Sequence, residues 1–195
     1  MTRCFLAFEL TEASRDYLRE RVEPFHQELR ASGWPVRLVP PENWHLTLLF
    51  FNDLSAEERE AVWAPAARLA EAGTWRDLRF DWNGLAVWPT PRRPSLVCVE
   101  AAPYAPAQDW PVLHWLDEEP FAKADTRHML PYVPHITVMR FDRKRRRPVA
   151  REWEAMSSEL PGFDPAAIRV DRLAFFLSTV SPRQPVYPRE RSTPL

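Results

Sequence analysis

Two four-residue phrases ninety residues apart share one pattern: His45-Leu46-Thr47-Leu48 and His135-Ile136-Thr137-Val138. Each alternates polar and apolar residues with the period of a β-strand. Histidine and threonine therefore leave one face and the apolar pair leaves the other. Two such strands set together bring two imidazoles and two hydroxyls around one cleft, with both apolar faces turned to a core. One copy alone would read as an ordinary strand; the repetition points to a site.

The rest of the chain can be laid around these strands. Residues 3–10 (RCFLAFEL) read as a strand. A helix follows from Thr11, its N-cap, to about Ala31, with Pro24 placed to bend or split it and Gly33 near its end. A short strand at 36–39 leads through the Pro40-Pro41-Glu42-Asn43 turn into the first motif strand, 44–51. Ser55 and Glu58 form a capping box for a helix to about Ala72. Strands are expected at 76–88 and 95–101, joined by a Pro89-Thr90-Pro91 turn, then a helix at 107–124. The second motif strand spans 134–141, followed by a helix at 148–160 and strands at 168–178 and 184–188. Each half offers strand, helix and motif strand. The order predicts an α+β fold of two pseudo-symmetric lobes, each an antiparallel-rich sheet with helices on its outer face, forming a central cleft. Residues 1–195 are expected to form one domain of two interleaved lobes.

Composition excludes several functions. With four glycines in 195 residues, neither a P-loop nor a dinucleotide fingerprint can be built. Net charge is −1, so any nucleic-acid contact must come from a local patch. The run Arg143-Lys144-Arg145-Arg146-Arg147 is the candidate. Cys4 and Cys98 read as buried free thiols, too few for a thiolate metal site. No apolar run approaches the ~20 residues that span a bilayer. The expectation is a cytoplasmic monomer with no membrane partner.

Histidine titrates near neutral pH, so a pair can divide proton transfer, one ring accepting and the other donating. A threonine two residues along the same face can hold the non-bridging oxygens of a phosphate. A metal site is the competing chemistry, but neither phrase has a second histidine or a carboxylate at ligand spacing. Asp53 and Asp142, just beyond the phrases, read as strand ends. Strict alternation puts Arg140 on the face opposite His135 and Thr137, so it reaches the cleft only if the strand bulges or ends there. Phe5, Phe8, Trp44, Phe50, Phe51 and Tyr132 are candidates for base stacking or for the cleft rim, or else core. His26 and His114 fall in helical patterns and His128 in a loop, without motif support.

The motifs resemble those of the two-histidine phosphoesterase superfamily, in particular its 2′-5′ RNA ligase-like group of RNA 2′,3′-cyclic phosphodiesterases. The similarity lies in PPENWHLTLLF, in PYVPHITVMR with Pro134 before the histidine and Arg140 three residues after Thr137, in the opening RCFLAFEL, and in the spacing of Ser178 and Tyr187. Phe51-Asn52 stands where the family often has Leu-Gly, with Asn52 able to take a left-handed turn. Arg183 stands where a glycine is common. The resemblance implies hydrolysis of a terminal 2′,3′-cyclic phosphate, on RNA ends or nucleotides, to a 2′-phosphate. It implies no metal and no cofactor, with His45 as general acid and His135 as general base. Thr47, Thr137 and Arg140 would bind the phosphate, and Tyr187 would line the mouth. Run in reverse, the same machinery would be a 2′-5′ RNA ligase. A module that kept the cleft but lost turnover would bind nucleotide or RNA without catalysis.

Overall fold

The opening strand β1 (Arg3–Leu10) is apolar on both faces, and that decides its place. Cys4, Leu6, Phe8 and Leu10 point into the main core, while Phe5 and Ala7 join a second cluster with Ala174 and Phe176 on the other side. A strand buried on both faces belongs inside a sheet. In the computed structural model, which describes residues 3–102, 121–125, 132–142, 144–145, 147–156, 162–178 and 187–195, β1 lies between two antiparallel neighbours. They are β3 (His45–Phe51) and β7 (Val170–Ser178), with β8 (Arg189–Pro194) beyond β7 at the edge.

A second antiparallel group holds β4 (Trp82–Thr90), β5 (Arg93–Ala101) and β6 (His135–Phe141), with β2 (Val36–Leu38) on the free side of β6. The backbone ladder joins the two groups at a single residue pair, Leu46 of β3 with Ile136 of β6. β2 and β3 share that edge of β6, and residues 40–44 loop out between them around a 3-10 turn at Pro41–Asn43. From the bridge β3 departs to run beside β1, so the ladder is formally continuous but works as two sheets meeting at the motif strands. The α+β architecture of two lobes around a cleft is as expected.

The helices lie on the core side. α1 (Glu12–Ala31) is capped by Thr11 and buries Leu18, Val22, Phe25 and Leu29. It runs unbroken through Pro24, because that residue sits on the exposed side where water can satisfy the freed carbonyl. α2 (Ala56–Glu71) carries the predicted Ser55–Glu58 capping box. α3 (Ala150–Met156) begins near the predicted boundary.

Three boundaries differ from expectation. The strand placed at 76–88 starts at Trp82, because the segment before it turns to sink Trp75 against Phe8. The hairpin tip falls one to two residues later than predicted, with β5 starting at Arg93. The final strand is 189–194, not 184–188: it is polar because it is an edge strand, and it begins only after Pro188. Of the helix expected at 107–124, only a 3-10 turn at Phe121–Lys123 and Ala124 lie within the described residues. Cys4 and Cys98 are buried free thiols, and burial pushes the Cys4 thiol up to about 11. Among the described residues, no helix is long and apolar enough to cross a membrane.

Candidate active site

The site is built twice. In each motif strand the apolar residue between histidine and threonine makes the bridge, Leu46 to Ile136. Antiparallel pairing about that bridge brings each histidine towards the threonine of the other phrase. Both bridge residues are fully buried, while His45, Thr47, His135 and Thr137 are half-buried on the opposite, cleft-facing side.

Both strands then break alternation at the same place. β1 pairs Ala7 with Thr47 and Leu6 with Leu49, so Leu48 is an extra residue. β5 pairs Cys98 with Thr137 and Val97 with Met139, so Val138 is extra in the same way. A bulge of this kind shifts the following residues to the other face. Leu48 and Leu49 are both buried, as are Val138 and Met139. Phe50 and Arg140 consequently return to the cleft side. This is how Arg140 escapes the alternation that would have pointed it away. The sequence carried the signal in its doubled apolar pairs, Leu48-Leu49 and Val138-Met139.

Each imidazole is fixed by a backbone carbonyl two residues earlier. Nδ1 of His45 lies 2.8 Å from the Asn43 oxygen, and Nδ1 of His135 lies 3.0 Å from the Val133 oxygen. A carbonyl can only accept, so in the neutral rings Nδ1 carries the proton and Nε2 presents a lone pair. Burial lowers both histidines. His45 falls to about 4: desolvation dominates, the charges of His135 and Arg140 add to it, and the Asn43 bond opposes it. His135 is lowered by burial and Arg140, against the Val133 bond and the Glu100 carboxylate. At neutral pH both rings are neutral.

The family model for LigT-like phosphoesterases matches residues 9–98, which include the first motif strand and most of β5. An RNA 2′,3′-cyclic phosphodiesterase from Methanothermobacter thermautotrophicus is 29% identical over 95% of this chain and 94% of its own. Among solved structures, TT0787 of Thermus thermophilus aligns with a TM-score of 0.59 at 22% identity, covering 99% of this chain and 97% of that one. Escherichia coli LigT in apo form gives the same TM-score at 21% identity, over 99% and 96%. The chain is similar to the LigT-like phosphoesterases over its first half, and to a named RNA 2′,3′-cyclic phosphodiesterase over nearly its full length.

The walls around the two histidines differ. His45 is packed by Phe5 (ring centroids 4.8 Å apart), Phe176 (5.7 Å) and the edge of Tyr187 (5.4 Å). His135 is packed by Trp88, 4.3 Å away. The Trp88 indole N–H donates to the carboxylate of Glu100, which sits directly across β5–β6 from His135. The matching carboxylate, Glu9, sits directly across from His45 but is bound to Arg189 (3.0 Å) and Arg172 (3.6 Å). Trp88, Glu100 and Phe176 were missed by sequence reasoning. The one available signal was a glutamate near the end of each otherwise apolar strand, LAFEL and VCVEA.

Several expected rim residues have other positions. Phe8 is fully buried on the core side of β1, in edge contact with Trp75, and cannot meet a substrate. Phe5 is on the cleft side but has no exposed surface, so it backs His45 and not a base. Tyr132 is buried, and its hydroxyl donates to the Thr47 carbonyl at 2.7 Å, tying the approach to β6 onto β3. Trp44 is buried with its indole on the Val39 carbonyl, and Phe51 is core. Phe50 is 37% exposed, the one large exposed hydrophobic among the described residues. Tyr187 stands beside His45 and accepts from Arg140 Nη2 at 3.2 Å. Asn52 does not adopt a left-handed conformation, since no described residue other than glycine has positive φ. Asp53 and Asp142 follow the ends of β3 and β6. No three His, Cys, Asp or Glu side chains among the described residues form a metal-binding group. His114, His128, Arg143, Arg146 and Arg183 lie outside the described residues.

Proposed function

We propose that the protein is an RNA 2′,3′-cyclic phosphodiesterase that opens a terminal cyclic phosphate to a 2′-phosphate, without a metal ion. The observation that supports this reading is the duplicated half-site. It comprises two imidazoles with identical tethers at Nδ1, each with a threonine two residues on, and Arg140 brought to the same face by a bulge. The cyclic phosphate is a monoanion, which suits a lining of hydroxyls and one guanidinium. Similarity over nearly the full length to a relative named for this activity adds weight.

In the proposed step, His135 Nε2 takes a proton from water as the water oxygen bonds to phosphorus. The bond from phosphorus to the 3′ oxygen breaks, and that oxygen takes a proton from His45. The electrostatics support this division. Glu100 makes His135 the better proton acceptor, while a ring held as low as His45 is a strong acid once the bound phosphate anion has favoured its protonation. Thr47, Thr137 and Arg140 hold the non-bridging oxygens. Phe50 offers the exposed ring on which the terminal base can stack, and Tyr187 orients Arg140. One domain of two interleaved lobes, residues 1–195, supplies the whole site.

The test is product analysis on a short RNA ending in 2′,3′-cyclic phosphate, with and without EDTA. Conversion to a 2′-phosphate in EDTA is expected. A 3′-phosphate product would mean that the other bond breaks. Loss of turnover in EDTA would require a metal, and binding without product would reduce the site to a binding module.

A further inference from the structure

Arg37 of β2 lies directly across from Arg140 of β6 in the antiparallel register. Directly opposed residues share a face of the sheet. Since the bulge at Val138 turns Arg140 to the cleft, Arg37 is brought to the cleft side with it. The two arginines line one shallow recess, open to solvent, together with Leu38, Val39, Pro40, Asn43 and Tyr187. The recess adjoins the first half-site: the Asn43 carbonyl is the one that holds His45, and the Tyr187 ring stands edge-on to it.

We propose that this recess is a second phosphate subsite, taking the internucleotide phosphate next to the cyclic end, so that the enzyme prefers an RNA chain to a cyclic mononucleotide. The inference rests on the cyclic phosphodiesterase reading above. Two guanidinium forks on one wall match the planar, bidentate demand of a phosphodiester. Arg140 has five donors, and one of them is on Tyr187, so it can stand between the reacting phosphate and its neighbour. The apolar remainder of the recess, Leu38, Val39 and Pro40, suits the sugar that separates two phosphates. The five-residue excursion between β2 and β3 is what opens the space: were β2 and β3 one continuous strand, β6 would have a closed edge here.

The test compares kcat/KM on three substrates: a 2′,3′-cyclic mononucleotide, a dinucleotide ending in 2′,3′-cyclic phosphate, and the same dinucleotide with a neutral methylphosphonate linkage. The wild-type protein is expected to favour the charged dinucleotide over the neutral one by about tenfold or more, as for a charge-assisted contact. In Arg37→Ala that ratio falls to near one, and Arg37→Lys keeps part of it. Equal use of charged and neutral dinucleotides by the wild-type protein overturns the subsite whatever the variants do, as does an undiminished ratio in Arg37→Ala. Failure of the wild-type protein to open any of the three would instead overturn the proposed function.

Discussion

The His45 and His135 half-sites share a backbone and differ in their walls. Strand register, bulge position, carbonyl tether and the cross-strand glutamate are all repeated. What surrounds the rings is not. His45 lies among Phe5, Phe176 and Tyr187, and its glutamate, Glu9, is taken up by Arg172 and Arg189. His135 lies against Trp88, and its glutamate, Glu100, is directed to that tryptophan by one hydrogen bond. After the bulge, one strand offers an aromatic ring and the other a guanidinium. Duplicated geometry gives two equivalent proton sites; different neighbours give them different acidities. A single-step reaction that needs an acid and a base can be served by that arrangement.

The largest effect that would break the comparison is loss of either ring. His45→Ala and His135→Ala should each lower kcat/KM by about a thousandfold, within the usual range for an acid or base, while circular dichroism stays that of the folded protein. A substrate whose 3′ bridging oxygen is replaced by sulfur sharpens it, because a thiolate leaves without protonation. It should rescue His45→Ala and not His135→Ala; equal rescue would reverse or abolish the division of roles.

Next comes the contrast between two phenylalanines three residues apart on β1. Phe8→Ala should cost about 3–5 kcal/mol of stability, read from denaturant unfolding, as for a core aromatic. It should leave KM unaltered for the protein that remains folded. Phe5→Ala should lower kcat as well, because Phe5 backs the His45 ring.

Removing one hydroxyl, by Thr47→Val or Thr137→Val, should cost tens of fold in kcat/KM, about 1.5–3 kcal/mol for a bond to a charged group. Roughly equal losses would support a symmetric clamp. A loss confined to one variant would make the phosphate contacts as uneven as the walls.

The smallest effects are on pH. NMR titration should find His135 titrating above His45, which sits at about 4. Glu100→Gln removes a charge that raises His135, so the NMR titration of His135 should move to lower pH; Glu9→Gln should leave it in place. Stability has its own sign. Both folded-state values lie below the ordinary histidine value of about 6.5, so the unfolded chain binds more protons in that range. Stability contributed by the neutral rings is full above 6.5 and is lost as pH falls towards 4. Thermal denaturation should show this decline, and His45→Asn should flatten it.

Much of this was legible in the chain. The twin phrases located both motif strands to within a residue. Thr11 and the Ser55–Glu58 box located two helix starts, because capping is a local interaction between neighbours in sequence. Rim residues were read less well. RCFLAFEL is apolar at every position but two, so alternation could not say which of Phe5 and Phe8 faces the core. Alternation alone does not decide Arg140, because a bulge is a property of pairing with β5, although Val138-Met139 is its trace. β8 lies beyond the reach of periodicity because a polar edge strand has no apolar pattern to follow.

By itself, the sequence determined that two strands would carry matched histidine and threonine faces and that acid–base chemistry on a phosphate was within their reach. Periodicity and side-chain pKa are properties of short segments. Only the tertiary structure decided which groups surround each ring: Trp88 and Glu100 at one, Phe5, Phe176 and Tyr187 at the other, Arg37 beside Arg140. Those neighbours come from strands far apart in the chain, and desolvation and charge act through space. Two phrases nearly alike in sequence therefore became unlike in acidity.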